Sequence, residues 1–511
     1  MSVSKPAESK LIFTGKKGIE FLILGFFILA AIGLRLVDFT DLPLDSSSEQ
    51  QLRSMIVARG LYYEMQGEGA AQNHQAEIDM GKAVAGAEPP IFEGLTALTY
   101  LVIGRQNILA GRAWSIIFWV MGGIPLFLLA RKWLPAEGAF TALAFYLFVP
   151  SGAFLSRNFM PDPMAVSCLL WALYFQTQWT QTSRLRDALL AGVFGGITLL
   201  LRPAFIFFIV LPCAGLLLHR VTKKGQTWVC AAISLLPAVF YYGVRLAGGS
   251  AFSTLPEISL LPRLALDVNW YLDWLQMIKK AAGYFPLIIG LLSFFLLSSR
   301  QSRLFYGGLW LAYVIFGFIS AYPIHTQDHS QLPLLPILAL GMGIALTAII
   351  DRLTEPEVKR RSRVLIPILF IASIGLCAQN IVEKLNSYDY RQQAAFWRQL
   401  GESIGTEAEV VAVTPDKGYE LSYWGGVVAE LWPTTPDLMD AKELGQSEPD
   451  FDQRFNELTA GKDLFVVTLT DELNLQPELR ERLYANYPVQ NGEGYLIFDL
   501  AHPLAEEKSN G

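Results

Sequence analysis

Residues 21–51 read FLILGFFILAAIGLRLVDFTDLPLDSSSEQQ, an apolar run that ends in an acidic segment. About 20 apolar residues suffice to cross a lipid bilayer, so the run predicts a membrane-spanning helix near residues 18–37. Asp45 and Glu49 follow shortly after its end. Carboxylates are costly beside hydrocarbon and more often belong to a functional site than to a scaffold. The stretch therefore predicts a membrane protein with an acidic site at one mouth of its helical bundle.

The composition of the chain supports membrane insertion. Of 511 residues, 52% are hydrophobic and only 17% are charged, whereas soluble proteins average roughly 25% charged residues. The net charge of -6 is small for this length, and the basic residues lie in short loops, which argues against nucleic-acid binding. The four cysteines fall inside apolar segments, at spacings that fit neither a disulfide framework nor a metal site.

The apolar segments predict about eleven membrane crossings. They lie near residues 18–37, 112–130, 137–155, 163–179, 187–201, 204–218, 227–246, 283–298, 304–321, 332–350 and 364–381. Segment 90–103 is apolar but short and begins at two prolines, so we expect a helix that lies at the membrane interface. Residues 1–381 are thus predicted to form a polytopic α-helical membrane domain.

Lysine and arginine residues mark every second loop between these segments, from the N-terminal lysines through the loop at 220–224 to the one at 352–363. By the positive-inside rule, such loops face the cytoplasm. The N-terminus is then cytoplasmic, and the long loop at 38–111 and everything after residue 382 are extracytoplasmic. This predicts a multi-pass protein of the cell membrane whose acidic motifs all face the outside.

Residues 382–511 are more polar and richer in acids. Strands are predicted at 409–414, 463–469 and 495–500, between amphipathic helices near 389–402, 451–460 and 477–487. This alternation favours a small soluble α/β domain. Its sequence contains no glycine-rich phosphate loop. The residues leave its role open between recognition of an acceptor, contact with an assembly partner and a cap on the bundle.

Two aspartates are candidate catalytic residues. Asp45 lies a few residues past the first span, and one well-placed carboxylate there can deprotonate an attacking hydroxyl or amine. The alternative role for Asp45 is to cap the helix that follows it. Asp162, in SRNFMPDP, is the second candidate, although an acid beside Pro163 also suits the start of a helix.

Other polar residues on the same side are expected to bind substrate. They are Glu49, Arg53, Glu88, Glu93, Arg157, His325, Asp328 and His329. The histidine segment favours a phosphate or sugar head group over a metal, because two histidines four residues apart make a weak zinc signal. No metal or other cofactor is therefore predicted. Cations for a phosphate leaving group are available from Arg53, Arg59, Arg202, Arg245, Lys279 or Lys280.

The order of these motifs resembles the membrane glycosyltransferases of the GT-C class, in particular the bacterial relatives of protein O-mannosyltransferases and of the aminoarabinose transferase that modifies lipid A. The resemblance covers roughly residues 18–350 and rests on LPLD, ARGLYY, EPPIFEGLTAL, GRAWSIIFWVMGGIPLFLLARKWL, FYLFVPSGAFLSRNFMPDP, LLRP and HTQDHSQLPLLPILAL. Two positions depart from it. Serines follow Asp45 where many members have an Asp-Glu pair, and His329 and Ser330 replace tyrosines.

The resemblance implies transfer of one sugar from a polyprenyl-phosphate donor to a lipid, glycan or protein acceptor on the outer face, with inversion. Carried over by position, Asp45 would be the catalytic base of the first outer loop and Asp162 the acid of the second.

Three other functions are compatible with a polytopic chain: a transporter or lipid flippase, an oligosaccharide ligase that moves a whole glycan, and a non-catalytic envelope assembly protein. Transporters tend to show paired repeats and polar residues at mid-membrane. Here the ionisable residues crowd one mouth of the bundle, which favours chemistry at that face.

Overall fold

The computed structural model of the protein describes residues 17–218, 224–247, 264–352, 356–405, 408–443 and 450–504. The lysines before residue 17 and the basic loop at 219–223, which enter the predicted orientation, lie outside the described residues. The helices up to residue 385 are α1 (Lys17–Arg35), α2 (Ser48–Met65), α3 (Glu68–Asn73), α4 (Gln75–Val84), α5 (Ile91–Ile103), α6 (Ile108–Ala130), α7 (Ala136–Phe148), α8 (Pro150–Leu155), α9 (Asp162–Thr182), α10 (Leu185–Leu201), α11 (Ile206–Leu217), α12 (Lys224–Ala247), α13 (Val268–Ala282), α14 (Tyr284–Leu296), α15 (Arg300–Ile319), α16 (Pro323–Thr326), α17 (Leu334–Arg352) and α18 (Pro356–Leu385).

A helix occupies each of the eleven predicted crossings, but the number of crossings is not confirmed. Among the described residues, five helices are long and apolar enough to span a bilayer, or six if α13 and α14, which meet at 98°, form one broken span. α7 has 13 residues and extends about 20 Å, less than the roughly 30 Å of the hydrocarbon core. The segment predicted as one span at 137–155 is divided into α7 and α8, because Pro150 disfavours helical backbone at Val149.

The bundle is held by close helix pairs. α9 contacts α6, α10 and α11, while α7 contacts α17. A Cβ added at Gly343 would lie 2.4 Å from the carbonyl oxygen of Gly138, so α7 and α17 approach backbone to backbone. At the end of α1, the buried Arg35 donates to Ser156 Oγ at 2.6 Å and to the Leu147 carbonyl at 3.0 Å. These bonds fix the first helix to the segment that precedes α9.

The segment between α1 and α6 forms a small helical layer at one mouth of the bundle. α2 packs against α4 and α5. α2 and α5 confirm the helices predicted after Asp45 and at 90–103, and α3 and α4 lie in a stretch for which the sequence predicts no helix. Leu98 and Val102 on α5 are exposed, as expected of a helix at a membrane interface.

The C-terminal part contains a five-stranded sheet in the order β2-β1-β3-β5-β4. β1 is parallel to β2 and β3, and β5 is antiparallel to β3 and β4. The elements are α19 (Gln393–Ile404), β1 (Val410–Val413), β2 (Ala429–Leu431), α20 (Thr435–Glu443), α21 (Phe451–Thr459), β3 (Leu464–Val467), α22 (Thr470–Leu475), α23 (Pro477–Asn486), β4 (Val489–Gly492) and β5 (Tyr495–Asp499).

Both faces of this sheet are covered. Val410 and Val466 face a cluster that includes Trp397 of α19. The next residues along these strands face a second cluster with α21 and α23, as the alternation of side chains in a strand requires. The three predicted strands are present as β1, β3 and β5. The two missed strands, β2 and β4, are short edge strands whose residues are partly or fully exposed and therefore lack an apolar signal.

Gly401→Ala should destabilise the C-terminal sheet region. A Cβ at Gly401 would lie 2.1 Å from the carbonyl oxygen of Gly425, and separating these backbones should cost about 1–3 kcal/mol of unfolding free energy. Limited proteolysis against temperature measures the loss within the full chain. Glu402→Ala, at an exposed position on the same helix, is the control. Equal stability of the two variants would contradict this packing.

Candidate active site

Two buried arginines hold the backbone that leads from α1 to Asp45. Nη1 of Arg112, on α6, donates to two carbonyls of residues 39–41 at 2.6 and 2.7 Å. The guanidinium of Arg157 donates to two carbonyls of residues 37–38 at 2.7 and 2.8 Å. Nε of Arg112 also donates to the Arg157 carbonyl at 3.1 Å, and the two residues are only 1% and 2% exposed. The start of the outer loop is thus bonded to the bundle.

Asp45 lies in a narrow cleft next to these arginines. The cleft is lined by Asp38, Asp41, Leu42, Asp45, Arg112, Arg157, Lys384, Leu385, Tyr388 and Tyr390. Its volume of about 10 Å³ is enough for a water molecule but not for a sugar. Burial lowers the pKa of Arg157, and Asp45 is the strongest of the nearby charges that oppose this effect. The cleft therefore brings three carboxylates, two guanidinium groups and one lysine together.

Residues after α18 form the outer wall of the cleft. The backbone N–H of Tyr390 donates to Asp41 Oδ1 at 2.9 Å, and Arg391 forms an ion pair with Asp38. Asp45 itself is exposed, so its carboxylate can be reached from the solvent side without displacing this segment.

The serines after Asp45 contact several separate parts of the chain. Asn158 Nδ2 donates to Ser46 Oγ at 2.9 Å, Ser47 Oγ donates to Asp328 Oδ1 at 3.0 Å, and Ser48 Oγ donates to Asp416 Oδ1 at 2.8 Å. Glu49 Oε1 lies 2.7 Å from Nζ of Lys417. The loop between α1 and α6 is therefore the meeting point of the SRNFMPDP turn, the histidine segment and the C-terminal sheet region.

Asp162 forms an ion pair that occupies both of its oxygens. Arg202 donates to Asp162 Oδ1 from Nε at 3.2 Å and to Oδ2 from Nη2 at 2.7 Å. Nη1 of Arg202 lies 3.7 Å from Glu88, which in turn lies 4.0 Å from Arg53. Asp162 and Arg202 are both buried. This geometry links Asp162, Glu88 and Arg53 in one network through Arg202.

The remaining predicted residues lie around this network. Glu93 is buried and accepts a 2.8 Å hydrogen bond from Ser54 of α2. Asp328 pairs with Lys280 at 3.3 Å, and His329 is buried within electrostatic reach of Asp162 and Asp328.

His325 is directed to the backbone instead. Its Nδ1 lies 2.9 Å from the carbonyl oxygen of Ala321, and its ring is near Trp270. Within the described residues, no group of three or more histidine, cysteine, aspartate or glutamate side chains is arranged to hold a metal ion.

The cleft also contains residues that the sequence does not single out, namely Arg112, Lys384, Tyr388 and Tyr390. The sequence gives a weak indication that Arg112 is functional, because a charged residue lies there near the start of an apolar span. Tyr390 is 345 positions from Asp45, and no pattern around it in the sequence indicates that the two residues lie in one cleft.

Asp416 and Glu420 belong to the C-terminal sheet region and lie beside the loop between α1 and α6. Burial raises the pKa of Asp416, and the hydrogen bond from Ser48 partly opposes this. Burial and the charge of Asp416 together raise the pKa of Glu420 to about 7.

Asp162→Asn should destabilise the membrane domain. The change leaves the buried guanidinium of Arg202 without its main counter-charge. Breaking such a pair lowers the free energy of unfolding by about 3–5 kcal/mol. The double variant Asp162→Asn with Arg202→Gln should recover part of the loss, whereas Asp79→Asn, on α4, should have little effect. The free energy of unfolding in detergent measures this. Unchanged stability of Asp162→Asn would contradict the structural role of the pair.

Glu420→Gln should change how stability depends on pH. A carboxyl group whose pKa is raised on folding stabilises the protein below its unfolded pKa of 4.5, and this contribution is lost as pH rises to about 7. The unfolding free energy of the wild type should therefore fall more steeply than that of Glu420→Gln between about pH 5 and about pH 8. If the unfolding free energies of the two proteins change with pH in parallel, Glu420 does not have a raised pKa.

Part of the sequence matches a known family. Residues 87–242 match the family model described as dolichyl-phosphate-mannose-protein mannosyltransferase. No curated protein matches the chain in sequence.

Solved structures match nearly the whole fold. ArnT from Cupriavidus metallidurans in the apo state is 15% identical, with a TM-score of 0.58 over 94% of this chain and 98% of that chain. The same protein bound to undecaprenyl phosphate is 14% identical, with a TM-score of 0.58 over 93% and 97%. The apo oligosaccharyltransferase of Archaeoglobus fulgidus is 12% identical, with a TM-score of 0.57 over 94% of this chain and 74% of that chain.

These matches agree with the GT-C resemblance seen in the motifs. At this level of identity the structural matches establish the fold, and the family match concerns the part from the end of the first outer loop to α12. The chain therefore has the fold of the GT-C membrane glycosyltransferases, and residues 87–242 relate it to the dolichyl-phosphate-mannose-protein mannosyltransferases.

Proposed function

We propose that the protein transfers a sugar from a polyprenyl-phosphate donor to an acceptor on the extracytoplasmic face of the cell membrane. The reaction inverts the anomeric carbon, and Asp45 is its general base. The observation that carries this proposal is the cleft that brings Asp45 beside Arg112 and Arg157 at the mouth of the bundle. The undecaprenyl phosphate bound by ArnT, a protein of the same fold, supports a lipid-linked donor.

The proposed step is a direct displacement. The acceptor hydroxyl or amine gives its proton to Asp45 as its lone pair forms a bond to the anomeric carbon. The bond between that carbon and the phosphate oxygen breaks, and its electron pair leaves on polyprenyl phosphate. A phosphate monoester is stable as an anion at neutral pH, so the leaving group needs no acid catalyst.

The leaving phosphate needs a cation. Several outer cations already have short partners: Arg202 with Asp162, and Lys280 with Asp328. Arg53 donates from Nε to the Val84 carbonyl at 2.8 Å, but the carboxylate oxygen paired with its Nη2 is 4.0 Å away, so this end of the guanidinium has no short ion pair. It also lines the cavity beside Ser54 and Arg202. We therefore propose that Arg53 binds the leaving phosphate group.

The other candidate residues have positioning roles in this proposal. Asp162 orients Arg202 rather than acting as a catalytic acid, because both of its oxygens bind that guanidinium. Glu49 and Asp328 hold the loop against Lys417 and Lys280. The predicted orientation, with a cytoplasmic N-terminus and residues 382–511 outside, places Asp45 on the extracytoplasmic side.

Transfer of a whole glycan is the second candidate. The match to the oligosaccharyltransferase of Archaeoglobus fulgidus supports it. The size of the labelled product separates the two reactions, since one adds a single sugar and the other an oligosaccharide.

Asp45→Asn should lower sugar transfer by about 100-fold or more, because general-base catalysis contributes about that much. The substitution keeps the shape of the side chain, so folding and donor binding should be retained. The measurement is transfer from radiolabelled polyprenyl-phosphate sugars to a cell-envelope extract by purified protein in lipid.

Asp79→Asn, which removes an acid elsewhere in the first outer loop, serves as the matched control and should transfer like the wild type. An active Asp45→Asn protein would remove Asp45 from the mechanism. Absence of transfer by folded wild-type protein with every donor would favour transport or an assembly role instead.

A further inference from the structure

A second cavity lies between the soluble domain and the first outer loop. It has a volume of about 300 Å³, which is in the range of small-molecule sites. Asp416 follows β1, and Thr468 and Leu469 follow β3, so the cavity lies at the carboxyl edge of these two parallel strands. We call it the sheet-edge pocket.

The sheet topology explains why a pocket forms there. β1 lies between β2 and β3 and is parallel to both. The chain leaves β1 toward β2 on one side and then crosses to β3 on the other. In open α/β sheets, such a reversal of strand order leaves a crevice outside the carboxyl ends of the strands, where ligands bind.

The lining of the pocket indicates the chemistry of its ligand. Carboxyl groups of Asp416 and Glu420 can accept hydrogen bonds from hydroxyls, and Phe396 and Trp397 of α19 supply aromatic surface. Among the described residues that line it there is no lysine or arginine. A phosphate group would therefore face carboxyl groups without a counter-charge, so the lipid phosphate of the donor is disfavoured.

Trp397 is a further polar group of the pocket whose hydrogen bonding is incomplete. The residue is only 2% exposed, and its Nε1 lies close enough to Glu420 to lower the pKa of that carboxyl by hydrogen bonding, although the contact falls outside ordinary hydrogen-bond geometry. Buried polar groups without partners are rare in native proteins and call for an explanation. An oxygen atom of a bound sugar would accept this hydrogen bond.

The pocket adjoins the candidate active site. Leu44 lines it and is the neighbour of Asp45 in the chain. The 2.8 Å hydrogen bond between Ser48 and Asp416 joins the same outer loop to the edge of the sheet. A ligand in the pocket therefore lies beside the loop that carries the general base.

We propose that the sheet-edge pocket binds an uncharged carbohydrate portion of the acceptor and holds the acceptor beside the Asp45 cleft. This rests on the proposed function, since an acceptor subsite has meaning only for a transferase. It gives the soluble domain the role of acceptor recognition, one of the three that the sequence leaves open.

Binding can be tested apart from catalysis with full-length protein in lipid. The probe is a panel of neutral mono- to tetrasaccharides, and saturation-transfer NMR detects binding. Glu420→Gln and Trp397→Phe should each weaken binding of a responding sugar by up to about tenfold, the worth of one hydrogen bond. Glu402→Gln, at an exposed position of α19, and Asp45→Asn should bind like the wild type.

Transfer kinetics give the second readout. Glu420→Gln should raise KM for the acceptor about tenfold and leave kcat and KM for the donor nearly unchanged. Trp397→Phe should act in the same direction, which protects the test against a folding defect in one variant. An acid that only supports the fold would lower the amount of folded protein without changing KM.

The outcomes separate the two proposals. If transfer depends on Asp45 but both pocket variants keep the wild-type KM for the acceptor, the subsite is wrong and the transferase stands. If sugars bind through Glu420 and Trp397 but the protein transfers nothing, the pocket is a carbohydrate site and the proposed function is wrong. If no sugar in the panel binds to folded protein, the subsite is overturned.

Discussion

The burial of two guanidinium groups under the outer loop is the constraint on which the candidate site depends. Arg112 and Arg157 donate to backbone carbonyls of residues 37–41, and both are almost completely excluded from solvent. A buried cation without hydrogen bonds is very costly, so the loop and the arginines must stay together. The position of Asp45, four residues further along the chain, follows from this arrangement.

The same loop connects the three parts of the molecule. Ser46 contacts the turn before α9, Ser47 the histidine segment, and Ser48 the soluble domain. Each contact is a single hydrogen bond worth about 1–3 kcal/mol, the larger value applying to an ionised acceptor, and together they orient the bundle mouth and the sheet edge toward one another. The serines that replace the expected acid after Asp45 therefore have a structural use in this chain.

Local patterns predict a helix at each apolar segment and the three central strands, but they miss α3 and α4, which lie in a polar stretch. They miss the edge strands β2 and β4, which are short and partly or fully exposed. They also fail to identify pairs that are distant in sequence: Asp162 has the signature of a helix start, but its partner Arg202 is 40 residues away. The number of crossings stays a prediction, because helix length and composition alone do not show which short helices cross the membrane.

Chemical rescue of Asp45→Gly by formate is the most direct test of the proposal that Asp45 is the general base of the transfer. Removing the side chain leaves space in the cleft for a small carboxylate, which can accept the proton from the acceptor. The account predicts that sugar transfer, absent in this variant, returns in part and rises with formate concentration. Transfer that stays absent at all formate concentrations, in protein shown to fold and to bind donor, would contradict it.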